Sequence, residues 1–223
     1  KIDWIETKKD PFPSMTGLYD YIRKAPVVKR EDPVKKGDVD GAFKTAAKVI
    51  EAEYEWPFQS HASMGPACAL ADVRADGVVV WTGSQNPHGL RADLALLLGW
   101  PDAAVEVIRL EASGCYGRNC ADDVSADAVL LSRAVGRPVR VQLTREQEHA
   151  WEPKGAAQLM RVRGGLDADG NAAAYDFETS YPSNASPTLA LLLTRTIEPR
   201  AVAFEMGDRT AIPPYEYPAM RVA

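Results

Sequence analysis

Gly114 and Gly117 bracket Cys115 and Tyr116 inside residues 111–123, a short polar stretch that ends in Asp122 and Asp123. Without a Cβ, the two glycines allow a sharp turn or the close approach of a ligand to the backbone. Turn chemistry accounts for most Gly-x-x-Gly spacings, and the phosphate-binding patterns GxGxxG and GxxxxGK(S/T) are both absent. Two aspartates at the start of the next helix also repel a phosphate from the terminus that ordinarily attracts one. A nucleotide P-loop is therefore excluded, which leaves plain turn chemistry or contact with some other ligand. Gln85 stands in a second glycine-containing loop, residues 82–86. His61 and His149 have the chemistry of a ligand or general base, although a hydrogen-bonded loop or surface residue is the commoner role.

The flanking patterns say how these residues are placed. Residues 105–110 alternate apolar and polar as a half-buried strand running into the glycine loop. Beyond it, Val124, Ala128, Leu131 and Val135 recur at helical spacing, and Gly136 and Pro138 stop that helix before a strand over 138–143. Upstream, strands over 67–74 and 78–81 are joined by the hairpin signal Ala75-Asp-Gly77. Asn86 and Pro87 cap a helix whose Leu90, Leu94 and Leu97 share a face, and Gly99 ends it. If the strands before the two loops run parallel, both loops leave the same sheet edge, and Gln85 faces Tyr116 and Gly117 across a crevice.

The remaining chain reads as a short helix over 38–49, a strand over 49–56, a helical turn over 144–149, hairpin strands over 156–166 and 172–181, and helical residues 188–194. The fold class is α+β, a mixed sheet with β-α-β units and hairpins. Residues 1–38, broken by Pro11, Pro13, Pro26 and Pro33, read as a linker or wrapping arm. The tail, with Pro213, Pro214 and Pro218, has no terminating element and reads as a chain cut between structural units.

With 223 residues the chain builds one large or two small domains. A net charge of -5 argues against a nucleic-acid or anionic-membrane surface, despite a locally basic N-terminal part. Cys68, Cys115 and Cys120 are too few and too irregular for a disulfide framework or a zinc site and are expected to be reduced.

Taken together, Trp81-Thr-Gly-Ser-Gln-Asn-Pro87, Ser113-Gly-Cys-Tyr-Gly-Arg118 with Asp123 and Ala126, and Gly136-Arg-Pro-Val-Arg-Val141 through Thr144-Arg-Glu146 resemble the xanthine dehydrogenase and aldehyde oxidase family of molybdenum hydroxylases. Gly114-Cys-Tyr-Gly-Arg-Asn119 and His149-Ala-Trp-Glu-Pro153 add a likeness to its isoquinoline oxidoreductase and nicotinate dehydrogenase branches. The resemblance covers residues 38 to 223. It implies that 39–223 belong to the family's first molybdopterin-binding domain, in a fragment of a longer chain, and that 1–38 are a linker or the end of the preceding hammerhead domain.

The resemblance further implies a molybdopterin cofactor with molybdenum, the cytosine dinucleotide form being usual in bacteria. The implied reaction oxidises an N-heteroaromatic compound, isoquinoline- or nicotinate-like, or an aldehyde, with oxygen from water. Electrons leave to [2Fe-2S] clusters on a small partner subunit and in some relatives pass to a cytochrome c. Gln85 matches the glutamine that hydrogen-bonds an oxo ligand of molybdenum, and Gly114, Cys115, Tyr116, Gly117 and Arg118 match the loop lying against the cofactor. An amide suits that role because it donates without charge or titration. The sequence departs from many relatives at Ser113 and Cys115, where they have glycine, and at Gly65, where they have glutamate. The family's general base lies in a missing C-terminal domain, so the isolated chain is expected to be inactive. The rival reading is a noncatalytic cofactor-binding or assembly module. The compartment is left between bacterial cytoplasm and periplasm, with membrane association through partners.

Overall fold

The computed structural model describes residues 13–117, 121–182, 187–200 and 211–223. The chain begins with helix α1 (Leu18–Lys24), strand β1 (Val34–Lys36), helix α2 (Val39–Thr45) and strand β2 (Lys48–Trp56). Its middle holds β3 (Cys68–Val73), β4 (Val78–Thr82), α3 (Pro87–Leu98), β5 (Val105–Arg109), α4 (Ala121–Val135), β6 (Val139–Gln142) and α5 (Arg145–Trp151). It closes with β7 (Gln158–Leu166), β8 (Ala172–Ser180), α6 (Leu189–Leu193) and β9 (Ala219–Val222). The described residues form two compact units, one within 58–155 and 184–202, the other within 1–57, 156–183 and 203–223.

The first unit carries a four-stranded mixed sheet of order β5-β4-β3-β6. The β3–β4 hairpin pairs Val73 with Val78, as Asp76-Gly77 foretold, while β4 and β5 run parallel with Thr82 opposite Arg109. Helix α3 starts where the Asn86 side chain accepts from Gly89 N at 3.2 Å, and Pro87, which has no N–H to lose, takes the first helical position. Its Leu90 and Leu94 are buried with Val80 and Val105 in the core, and Leu97 packs against them.

Helix α4 buries a face that only partly coincides with the one its apolar spacing predicts. Val124 and Ala128 are buried, but Leu131 and Val135 are about half exposed, and Ser125, Val129 and Ser132 take the inner positions. The serines are small enough for close contact with the sheet and are fully satisfied there. Ser125 Oγ donates to Thr82 Oγ1 at 2.8 Å, while Ser132 Oγ donates to Arg137 O at 2.8 Å and accepts from Val73 N at 3.0 Å. Paired hydroxyls avoid the cost of a buried polar group without a partner, so they do not need an apolar side chain in their place.

The second unit is a five-stranded sheet of order β1-β9-β8-β7-β2. The β7–β8 hairpin turns on Asp167, whose carboxylate accepts from Asp169 N at 2.9 Å and Asn171 N at 2.8 Å. Two expectations change here. The proline-rich opening contributes α1 and β1, and the tail ends in β9, which pairs parallel with β8 and antiparallel with β1. Strand β2 is an exposed edge, with Ile50 at 53%, Tyr54 at 56% and Trp56 at 47% exposure on one face. On the opposite face Glu51, Arg163, Asp176 and Arg221 lie in register across four strands.

Candidate functional site

Because β4 and β5 are parallel, the loops that follow them leave the same edge of the sheet. The ladder runs one step further, Leu110 N donating to Thr82 O at 2.8 Å. The loops then meet so closely that a Cβ added to Gly83 would stand 2.6 Å from the Ala112 Cβ.

Gln85 is held between two fixed neighbours. Ser84 is fully buried, donates to Asp122 Oδ1 at 2.5 Å and accepts from Asn86 N at 3.0 Å, and Asn86 is itself the cap of α3. The Gln85 side chain is exposed, and its Oε1 accepts from the Cys115 thiol, which also lies against Gly117 O. With Oε1 so engaged, the amide N–H groups have no partner among the described residues and are the donors offered to a ligand. The predicted juxtaposition of Gln85 with the glycine loop is present, with Cys115 as its direct contact. Arg118 and Cys120 lie outside the described residues; Cys68 and Cys115 are free thiols.

The glycines in this loop answer to the chain's own side chains. Gly114 and Gly117 have φ of 100° and 135°, which side-chain-bearing residues rarely adopt, and Tyr116 between them is at 54°. A Cβ on Gly117 would overlap the His61 ring, and one on Gly114 would approach the Tyr116 ring at 2.8 Å. Tyr116 is 66% exposed beside them.

His61 is fixed from behind by a residue that sequence reasoning did not single out. Glu152, 4% exposed, accepts through Oε1 from His61 N at 3.2 Å, from Lys154 Nζ at 3.1 Å and from Ser60 Oγ. Burial pushes its carboxyl pKa up, but the hydrogen bonds from Ser60 and Lys154 and the Lys154 charge outweigh this and hold it below the usual carboxylate value. Ser60 Oγ also meets His149 Nδ1 at 2.8 Å.

Glu148 was missed in the same way. It is fully buried, pairs with Arg145 and accepts from Ala67 N at 2.6 Å, while the Arg145 guanidinium donates to Ser63 O and to Met64 O at 3.1 Å. Helix α5, started by the Thr144–Gln147 capping box, thus grips residues 63–67. Its Thr-x-x-Gln signature was readable, but the partner of its glutamate was not.

These segments enclose a cleft of about 240 Å³ lined by Gly65, Cys68, Gly83, Glu111, Ser113 and Gly114, among others. Two buried oxygens in the surrounding frame, Ser63 Oγ and Glu152 Oε2, have no hydrogen-bond partner among the described residues.

The sequence pattern of the molybdopterin cofactor-binding domain matches residues 23–206, and the chain belongs to that family. It is 61% identical over 222 residues to a subunit of the nicotinate dehydrogenase of Pseudomonas putida, a match covering 100% of this chain and 18% of that protein. It is 35% identical over 146 residues to the aldehyde oxidoreductase molybdenum-binding subunit PaoC of Escherichia coli, covering 64% of this chain and 20% of that one. Among solved structures, the aldehyde oxidoreductase of Desulfovibrio gigas superposes with a TM-score of 0.66 at 20% identity, covering 89% of this chain and 21% of the other. The chain therefore spans about a fifth of the length of the curated relatives it matches. The expected family and α+β fold class are both found.

The residues present fit a pterin-borne molybdenum group. The Gln85 amide supplies donors that neither carry charge nor titrate, the cleft is lined by Gly83 from the loop that carries Gln85 and by Gly114 from the glycine loop, and that loop exposes the Tyr116 ring.

Proposed function

We propose that this chain provides one wall of the molybdopterin site of a molybdenum hydroxylase. Its substrate is an N-heteroaromatic compound of the nicotinate or isoquinoline kind, or an aldehyde, oxidised with oxygen taken from water. The observation that carries the reading is the placement of Gln85: an exposed amide on a loop fixed by Ser84 and Asn86, with its oxygen turned to Cys115. The identity with the Pseudomonas putida nicotinate dehydrogenase supports the heteroaromatic side of the reading, and the likeness to PaoC supports the aldehyde side.

When bound, the cofactor supplies the two-electron oxidation of a C–H bond. The chain supplies position. Gln85 donates hydrogen bonds from a preorganised amide, which costs no reorganisation when charge develops nearby. Residues 111–114 and 65–68 line the cleft, and the ionised Glu152 holds the His61 backbone N–H beside Gly117. We assign the cofactor-facing role to the unit within 58–155, inside the larger span 39–223 read from sequence. Gly114 through Arg118 are proposed as the backbone surface along the pterin. The finer partners proposed are the cytosine dinucleotide form of the cofactor, a small [2Fe-2S] subunit that takes the electrons, and a cytochrome c beyond it.

The test uses the full-length enzyme with its partner subunits. Elemental analysis should find molybdenum, and dye reduction should follow addition of nicotinate, isoquinoline or an aldehyde, with ¹⁸O from labelled water in the product. Enzyme without molybdenum, or product oxygen drawn from dioxygen, contradicts the proposal.

A further inference from the structure

We propose that Gly65 and Ser113 form a single specificity-determining element of the cleft, in which the side chain at one position fixes what the other can carry. The inference rests on reading this cleft as the place where ring substrate and cofactor meet.

Gly65 and Ser113 both line the cleft, and they are clasped. Gly65 N donates to Ser113 Oγ at 2.9 Å, Ser113 Oγ donates to Gly65 O at 3.0 Å, and Met64 N donates to Ser113 O at 3.0 Å. The serine hydroxyl thus occupies the space that a side chain at 65 would need. A Cβ built on Gly65 would stand 2.6 Å from Ser113 Oγ and 3.1 Å from Ser113 Cβ. Separations that short force something to move.

The Gly65 segment is not free to do the moving. On one side Arg145 holds the carbonyls of Ser63 and Met64, and on the other the buried Glu148 holds Ala67 N. A side chain at 65 must therefore displace Ser113 or grow into the cleft. Conversely, removing the Ser113 side chain widens the cleft and frees the Gly65 N–H and C=O. As it stands, the Gly65–Ser113 pair is uncharged and its hydrogen bonds are spent on each other, so this pair offers no anchor for a charged group and the one carboxylate among the cleft's lining residues is Glu111. The Ser113 side chain narrows the cleft at this wall, so the clasp works against the larger bulk of a fused bicycle relative to a single ring.

The experiment compares Ser113→Gly, Gly65→Ala and the double variant in the full-length enzyme. Ser113→Gly should raise kcat/KM for isoquinoline relative to nicotinate by roughly tenfold, the scale of one side-chain carbon in a pocket. Gly65→Ala alone should lower molybdenum per subunit, and the double variant should recover most of that loss, a non-additivity expected of residues in contact. A readout independent of catalysis is hydrogen exchange in peptides spanning 61–67, which should speed up in Ser113→Ala because Gly65 N loses its acceptor. Additive effects, unaltered exchange, or an unchanged ring preference in Ser113→Gly would overturn the proposal. The wild-type molybdenum content tests the functional reading separately, and the exchange result stands whether or not cofactor is present.

Discussion

Ser84 Oγ donates to Asp122 Oδ1 at 2.5 Å with both side chains buried, and this bond ties the loop carrying Gln85 to the first turn of α4. The helix after the glycine loop thereby fixes the residue on the opposite loop. Asp122, which at the level of sequence serves only the helix terminus, is a positioning residue. Asp122→Ala should strand the Ser84 hydroxyl and destabilise the chain by about 1–3 kcal/mol, the usual cost of a buried group losing its partner. It should also lower turnover per molybdenum, because Gln85 is no longer held. Denaturant unfolding and molybdenum-normalised rates check both, and an unchanged unfolding midpoint contradicts the role.

Gly117→Ala should destabilise the loop whether or not a cofactor binds. The new methyl overlaps the His61 ring, and φ of 135° is strained for any residue with a side chain. A second change, His61→Ala, should remove the steric part and leave the backbone part, about 1–3 kcal/mol. Unfolding midpoints of the two single variants and the double variant separate the parts. Full recovery in the double variant would show that backbone strain contributes nothing.

Asp176 gives the acid limb of stability a specific source. Burial alone would raise its pKa, but hydrogen bonds and charge from Arg221 and Arg163, at 2.7 and 2.5 Å, bring it below the ordinary aspartate value. A carboxyl lowered in the folded state stabilises it above the unfolded pKa, near 3.9, and loses that contribution as pH falls further through the folded value. Asp176→Asn should therefore lower stability at pH 7 and flatten its fall below about pH 4. Parallel pH profiles for the variant and the wild type contradict this.

Edge strand β2 presents Ile50, Tyr54 and Trp56 to solvent beside backbone groups that pair with no other strand among the described residues. Such an edge invites pairing with another chain. The isolated chain Lys1–Ala223 should self-associate in light scattering, and Tyr54→Lys with Trp56→Lys should reduce it. Equal association of the variant and the wild type would place the contact elsewhere.

Local chemistry made much of this legible in the sequence. Asp76-Gly77 marked the β3–β4 hairpin, Asn86-Pro87 the start of α3, and the parallel strands placed Gln85 opposite the glycine loop. What escaped was set by distant partners. Ser125 and Ser132 are buried because Thr82, Val73 and Arg137 satisfy them, so of the four apolar positions read along α4 only Val124 and Ala128 face the sheet. The burial of Glu148 and Glu152 carries no local signal, since their donors come from 60–67 as well as from nearby residues. Strands β1 and β9 are three and four residues long and exist through pairing across nearly the whole chain.

The role of Gln85 is tested most directly by Gln85→Ala in the full-length enzyme, with molybdenum content and turnover measured on the same preparation. The exposed amide makes one side-chain hydrogen bond among the described residues, to Cys115, so its removal should leave folding and cofactor content near normal. Loss of a preorganised donor should lower turnover per molybdenum on the order of 10²-fold. Wild-type turnover per molybdenum in this variant would contradict the account.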